Sequence, residues 1–256
     1  MKRLIPTLSR LPRPLYCRNE SLAVGSWTEV HHHSWCQFSY ALSGVLGVRT
    51  PYGDHVAPSR YAVWIPPGVD HHVVSRHQTE MRSLYIEPEV AAALPATCTV
   101  LEVTPLMREL IRKVSALPVE YDENGAEGRL VAVLLDELAE LHQAGFAVPL
   151  PQDRRLQAIY AGLQERPDDT RTLAQWAASA GASERTLARL FYKDTGMSFG
   201  QWRQRLRLVM SLDALEAGGS VGAIALGHGY ESPSAFIAAF KTAFGRTPGE
   251  LRPRDA

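Results

Sequence analysis

The 256-residue chain has only three cysteines, Cys17, Cys36 and Cys98, and no CxxC pair. An odd, widely spaced set argues against a disulfide framework and fits a reducing compartment. Long apolar runs are also missing: none approaches the ~20 residues a membrane helix needs. The opening MKRLIPTLSRLPRPLYCRNE carries basic residues but no sustained apolar core, and its prolines interrupt any helix. These absences predict a cytoplasmic protein without a membrane partner. Net charge is absent too, since 27 Lys+Arg balance 27 Asp+Glu. The balance is uneven along the chain, however. Residues 151–256 hold 14 basic against 11 acidic groups and residues 1–150 hold 13 against 16, which points any polyanion toward the C-terminal part.

What is present divides in two. From about Val24 to Pro88, β-branched and aromatic residues alternate with polar ones, punctuated by SG, PYGD and PPG turns. Segments such as CQFSYAL, RYAVWI and HHVVS predict the short strands of an all-β sandwich or barrel. After about Thr104 the period becomes helical. Leu130, Leu134, Leu138 and Leu141 form one stripe, suited either to packing on the β-domain or to a second subunit. The reading is an α+β two-domain chain. Residues 1–103 are an N-terminal arm and β-barrel, 104–144 a helical dimerisation or packing segment, 145–152 a linker, and 153–256 an all-α domain.

The helical part contains an internal repeat. SERTLARLFYKDTGMSFGQWR begins at Ser183 and SPSAFIAAFKTAFGRTPGELR begins 49 residues later, at Ser232. Leu187 matches Phe236, Phe191 matches Phe240 and Gly196 matches Gly245. Each copy follows a short helix and a glycine turn, at Gly181 and Gly229, the pattern of a helix-turn-helix. Ser183 and Ser232 are suited to cap the second helix of each copy. A connecting helix of about 20 residues would span about 30 Å, close to the ~34 Å between successive major grooves on one face of DNA.

Residues 153–253 thereby resemble the DNA-binding domain of the AraC/XylS family of bacterial transcription regulators. The resemblance rests most on GHGYESPSAFIAAFKTAFGRTPGELR. It implies that Arg185, Ala188 and Arg189, with Ser183 and Thr186 at the helix start, face DNA from the first motif. Pro233, Ser234, Ile237 and Ala238, after Ser232, do so from the second. Two arginines in the first helix suit bidentate contacts to guanine, whereas the second helix suits thymine methyls and phosphate anchoring.

Seven of the nine histidines fall between His31 and His77. In EVHHHSWCQF, strand alternation puts His31, His33, Trp35 and Gln37 on one face and Cys36 on the other. Two same-face imidazoles can grip one ion, and His71, after the PPG turn, can supply a third. The remaining histidines, His32, His55, His72 and His77, are expected at the surface or a pocket rim. Gly25, His31, His33, Gln37 and Gly44 follow the spacing of the first cupin motif, with Gln37 where that family has Glu. Pro66, Gly68 and His71 follow the core of the second, with Arg60 where that motif has its leading glycine and Ser75 where it has its trailing Asn. The resemblance implies a cupin-like barrel holding one ligand, with His31, His33, His71 and Gln37 around a divalent Zn, Ni, Cu or Fe ion. The alternative is that the same histidines are simply hydrogen-bonded in a ligand pocket.

The function expected is sequence-specific DNA binding controlled by a small molecule or metal in the barrel. The partners expected are promoter DNA, a second copy of the chain and, for an activator, RNA polymerase. Two further readings are a cupin-type metal-dependent enzyme with an accessory helical domain, and a regulator whose barrel only dimerises.

Overall fold

The computed structural model describes residues 2, 3, 5, 8–75, 78–91 and 94–251. His77 and residues 252–256 of the expected DNA-binding domain lie outside them. The chain divides into two compact units, residues 1–50 with 55–145, and residues 51–54 with 146–256.

The first unit contains β1 (Leu15–Leu22), β2 (Ser26–Trp27), β3 (Cys36–Ser43), β4 (Val45–Thr50), most of β5 (Gly53–Pro58), β6 (Tyr61–Ile65), β7 (His72–Ser75), β8 (Thr79–Ile86) and β9 (Thr99–Glu102). Helices α1 (Pro105–Val114) and α2 (Ala126–Ala139) and the short β10 (Gln143–Ala144) complete it. The strands form two sheets rather than a closed barrel. One has the order β1-β8-β3-β6-β9-β10, and the other includes β5-β4-β7-β2.

The central strands of the first sheet are covered on both faces, because their apolar residues do not stop at alternate positions. One face presents Phe38, Tyr40, Trp64, Leu84 and Ile86 to α1 and α2, in a single cluster with Met107, Ile111, Leu134 and Leu138. Leu130 and Leu141 pack on the edge of that cluster, so the leucine stripe is used within its own unit. Strand β4, with Leu46 and Val48 buried, approaches β6 and β8 from the second sheet.

The second unit holds β11 (Ala147–Pro149), α3 (Arg154–Glu165), α4 (Leu173–Ser179), α5 (Glu184–Thr195), α6 (Phe199–Glu216), α7 (Val221–Gly227), α8 (Pro233–Phe244) and α9 (Pro248–Leu251). The expected linker is pinned over much of its length. Phe146 is buried against Phe244 with ring centres 4.6 Å apart. Trp202 Nε1 donates to the Pro149 carbonyl at 2.9 Å and Arg205 Nε to that of Ala147 at 2.5 Å. The composition of 145–152 is linker-like, but Phe146 finds a partner on α8 and the Ala147 and Pro149 carbonyls find theirs on α6.

The repeat is carried into three dimensions. Helices α4–α5 and α7–α8 are the two helix-turn-helix motifs. Gly181 and Gly229 turn at φ +61° and +73°. Ser183 accepts from the Thr186 amide and Ser232 from that of Ala235, while Gly196 and Gly245 end α5 and α8 in the left-handed region. Leu187, Phe191, Phe236 and Phe240 are fully buried.

The prediction concerns the leucine stripe. Leu134→Ala should destabilise the first unit by about 2–5 kcal/mol, because the side chain is enclosed by sheet and helix and the void cannot collapse freely. Urea unfolding followed by a probe in residues 1–145 measures it.

Candidate ligand cleft and nucleic-acid interface

The histidine segment is not a continuous strand. His31 makes a bridge to His71 through paired backbone hydrogen bonds of 3.0 and 2.8 Å, the chain bends at Ser34 and Trp35, and β3 starts only at Cys36. Gly68, at φ +72°, turns the PPG loop so that its amide donates to the His33 carbonyl at 2.9 Å. A side chain at that φ would be strained, which is why the turn takes glycine.

These pairings bring the three imidazoles together. Ring centres lie 4.3 Å apart for His31–His71, 5.1 Å for His33–His71 and 6.2 Å for His31–His33. Each Nδ1 donates to a carbonyl two residues away: His31 to Glu29 at 2.9 Å, His33 to Trp35 at 2.6 Å, and His71 to Val69 at 2.8 Å. Each ring therefore keeps its lone pair on Nε2. His71 Nε2 is buried without a hydrogen-bond partner. Burial lowers all three pKa values, that of His71 to about 3, so the rings are neutral near pH 7.

His33 Nε2 stands 2.8 Å from the Gln37 amide, whose other end is 2.7 Å from Ser39 Oγ. A neutral His33 that donates from Nδ1 must accept at Nε2. The structure sets Gln37 Oε1 toward the ring and Nε2 toward Ser39, so a neutral His33 calls for the amide the other way round, its NH2 donating to the ring and its oxygen accepting from the Ser39 hydroxyl. Cys36 lies in the opposite cluster, under the helices, and its thiol is pushed up to about 11 chiefly by burial. As they stand, no three His, Cys, Asp or Glu side chains among the described residues are placed to hold a metal ion.

His31 and His33 form one wall of an open cleft of about 680 Å³, with His71 buried beside them. Trp35 stacks on His33 at 5.2 Å and 7°, and Tyr85 meets the same ring edge-on at 5.9 Å. Leu8 and Ile5, from the N-terminal arm, close another side. Sequence reasoning missed Tyr85 and the arm. Tyr85 pairs with Gln37 across β8 and β3, a register that no local pattern announces. His32 is exposed and sits 2.9 Å from Asp70. His55, expected at the surface or rim, is instead buried beside the Cys98 carbonyl.

On the second unit, Arg185, Ala188 and Arg189 are exposed along α5, as are Pro233, Ser234, Ile237 and Ala238 along α8. Thr186 is half-buried, held 2.8 Å from Ser183 Oγ at the cap. Helix α6, 18 residues long, spans about 27 Å and packs against both motifs.

Comparison with known proteins agrees with both halves. A helix-turn-helix domain family matches residues 176–254, and the AraC-like ligand binding domain family matches residues 23–142. The HTH-type transcriptional regulator NimR of Escherichia coli (strain K12) is 38% identical over 220 residues, covering 86% of this chain and 80% of that protein. The chain belongs to the AraC family of transcription regulators. A second relative, the HTH-type transcriptional regulator RipA of Corynebacterium glutamicum, is 35% identical over 100 residues, 39% of this chain and 30% of its own length. Among solved structures, ToxT from Vibrio cholerae aligns over 93% of this chain and 97% of that one, at 10% identity and a TM-score of 0.39. This AraC-family member is thus a DNA-binding transcription regulator with a ligand-binding domain, and not an enzyme. Among the described residues no helix is long and apolar enough to cross a membrane.

Proposed function

We propose that this cytoplasmic regulator is controlled by a divalent transition ion, with or without a small molecule, at His31, His33 and His71, and that it reads its promoter chiefly through α5. The observation that carries the first part is His71 Nε2, a lone pair in a buried position with no partner, beside two other imidazoles whose Nδ1 atoms are already committed. Imidazoles held from behind by a carbonyl are oriented for metal binding. Three rings sharing one ion at about 2.0–2.1 Å would have centres roughly 4.5–5.3 Å apart, so chiefly the His31–His33 pair has to close, by roughly 1 Å. Gln37 would add a weak, neutral oxygen after its amide turns over. Such an ion would keep its full positive charge, facing a cleft wide enough for a further ligand.

Exposed Leu106 and Val133, on α1 and α2, offer apolar surface to a second copy, and we read the working form as a homodimer that engages RNA polymerase if it activates. The DNA part of the proposal rests on chemistry. Helix α5 exposes two guanidinium groups, each capable of bidentate contact to guanine, whereas α8 exposes only Ser234 as a polar group among its four candidate positions. Helix α8 suits apolar contact to thymine methyls and phosphate anchoring.

Two experiments test these readings. Elemental analysis of untagged full-length protein should find about one transition ion per chain. His71→Ala should lose the ion and Cys36→Ser should keep it. Unchanged stoichiometry in His71→Ala removes the three-histidine site. For α5, a bidentate contact is worth about 1–3 kcal/mol, so Arg189→Ala should weaken a specific site roughly 10- to 100-fold while barely affecting random DNA. Titrations of Arg185→Ala and Arg189→Ala on specific and scrambled duplexes at several salt concentrations measure this. Equal losses on both duplexes, with a salt slope lower by about one, would assign the arginines to phosphates instead.

A further inference from the structure

Arg207 sits midway along α6, half-buried, and none of its three hydrogen bonds goes to a carboxylate. Nε donates to the Pro167 carbonyl at 2.7 Å, Nη2 to that of Asp169 at 2.9 Å, and Nη1 to that of Gly229 at 3.1 Å. The first two belong to the loop that leads into the first helix-turn-helix; the third is the turn of the second. We infer that Arg207 is the positioning residue that locks the two helix-turn-helix motifs into one register, so that α5 and α8 address adjacent major grooves together.

The loop end of this clamp is fixed independently, and the Gly229 end is shaped around the arginine. On the loop side, Asp169 takes a bidentate contact from Arg171, Nε to Oδ1 at 3.1 Å and Nη2 to Oδ2 at 2.7 Å, and the Arg171 guanidinium lies 3.4 Å over the ring of Trp176 in α4. Arg203, one helical turn before Arg207, donates to the Arg171 carbonyl at 2.7 Å. The loop is therefore bound to both α4 and α6. On the other side the guanidinium fills the space a β-carbon would need at Gly229. That atom would lie 2.5 Å from Arg207 Nη2 and 3.0 Å from Asp168 Cα. Gly229 thus serves both its own positive φ and the close approach of the arginine. A lysine could not replace this arrangement, because one ammonium cannot present a planar fork to carbonyls on two separate turns.

The clamp matters for recognition because two linked readers gain affinity only when both fit at once. Helix α6 sets the spacing between them, but a rod does not by itself fix how each motif is rotated about it. Arg207 ties the turn of the second motif to the lead-in of the first.

The test uses the full-length protein and a duplex it selects from a random pool. Companion duplexes carry either groove's element scrambled, or five base pairs inserted between the two. Wild-type protein should lose affinity on every companion. Arg207→Met and Arg207→Lys should bind the intact duplex at least about tenfold more weakly, no better than the duplex lacking the α8 element. On that single-element duplex they should match wild type within about twofold, with the same salt slope, and the insertion should no longer matter to them. Gly229→Ala should behave alike. Equal loss on intact and single-element duplexes would overturn the inference, since it is what general destabilisation produces. So would a lower salt slope, which would make Arg207 a phosphate contact, undiminished spacing sensitivity in the variants, or wild-type binding indifferent to the α8 element.

Discussion

Both faces of the sheet formed by β3, β6 and β8 are buried, and this constraint decides where the first unit can bind anything. Helices α1 and α2 cover one face and the second sheet approaches the other, so mid-strand side chains such as Phe38 and Ser39 are fully enclosed. Recognition has to take place at the strand ends. The histidines stand there, in the segment that bridges to His71 and bends before β3 begins. At that point main-chain carbonyls are not yet spent on a ladder, and three of them orient the imidazoles. The same exit from regular pairing leaves His71 Nε2 without a partner.

Polar groups continue inward from that mouth. The His33–Gln37–Ser39 chain runs along one face of β3, and its amide orientation depends on whether His33 must accept a hydrogen bond. A ligand that took the His33 lone pair would release the amide and let it turn. Occupancy of the cleft would then be felt by the Ser39 hydroxyl inside the sheet without movement of the backbone. An all-apolar strand could not carry such a signal, since nothing in it has two hydrogen-bonding states.

Much of this was legible in the sequence. The repeat at an offset of 49 needed no structure, because glycine turns, serine caps and buried leucine and phenylalanine are local demands that each copy meets in the same places. Alternation placed His33, Trp35 and Gln37 together and set Cys36 apart, although the strand itself starts late. What escaped were pairings between distant segments. Tyr85 reaches His33 through the β3–β8 register, Leu8 and Ile5 reach the cleft through an arm that composition describes only as proline-rich, and Phe146 is buried against Phe244, 98 positions on. The contacts of residues 145–152 escaped for the same reason. Proline and glycine mark where regular structure is interrupted, but not whether the interrupted chain is free. His55 adds a polar case, since its burial beside the Cys98 carbonyl depends on a segment 43 residues on.

The two motifs of the second unit share a backbone plan yet expose different chemistry along α5 and α8, and on the proposed reading the difference has a physical consequence. Among the positions proposed to face DNA, α5 offers charge and α8 mainly carbon. A guanidinium that reads guanine works in a field set by the neighbouring phosphates, whereas methyl contact is indifferent to ionic strength. If α8 carried the whole of recognition, discrimination would rest on apolar contacts and on groove shape. If α5 acted alone, its two arginines would bind many guanine-containing sequences comparably, because charge attracts before it selects. On the proposed reading selectivity comes from the conjunction, in which a helix that reads guanines is held in register with a helix that adds apolar contact to thymine methyls. Rigidity between the motifs then becomes part of the specificity. A loose connection would let α5 bind while α8 idled, and the chain would be held by charge at many sites in preference to its own.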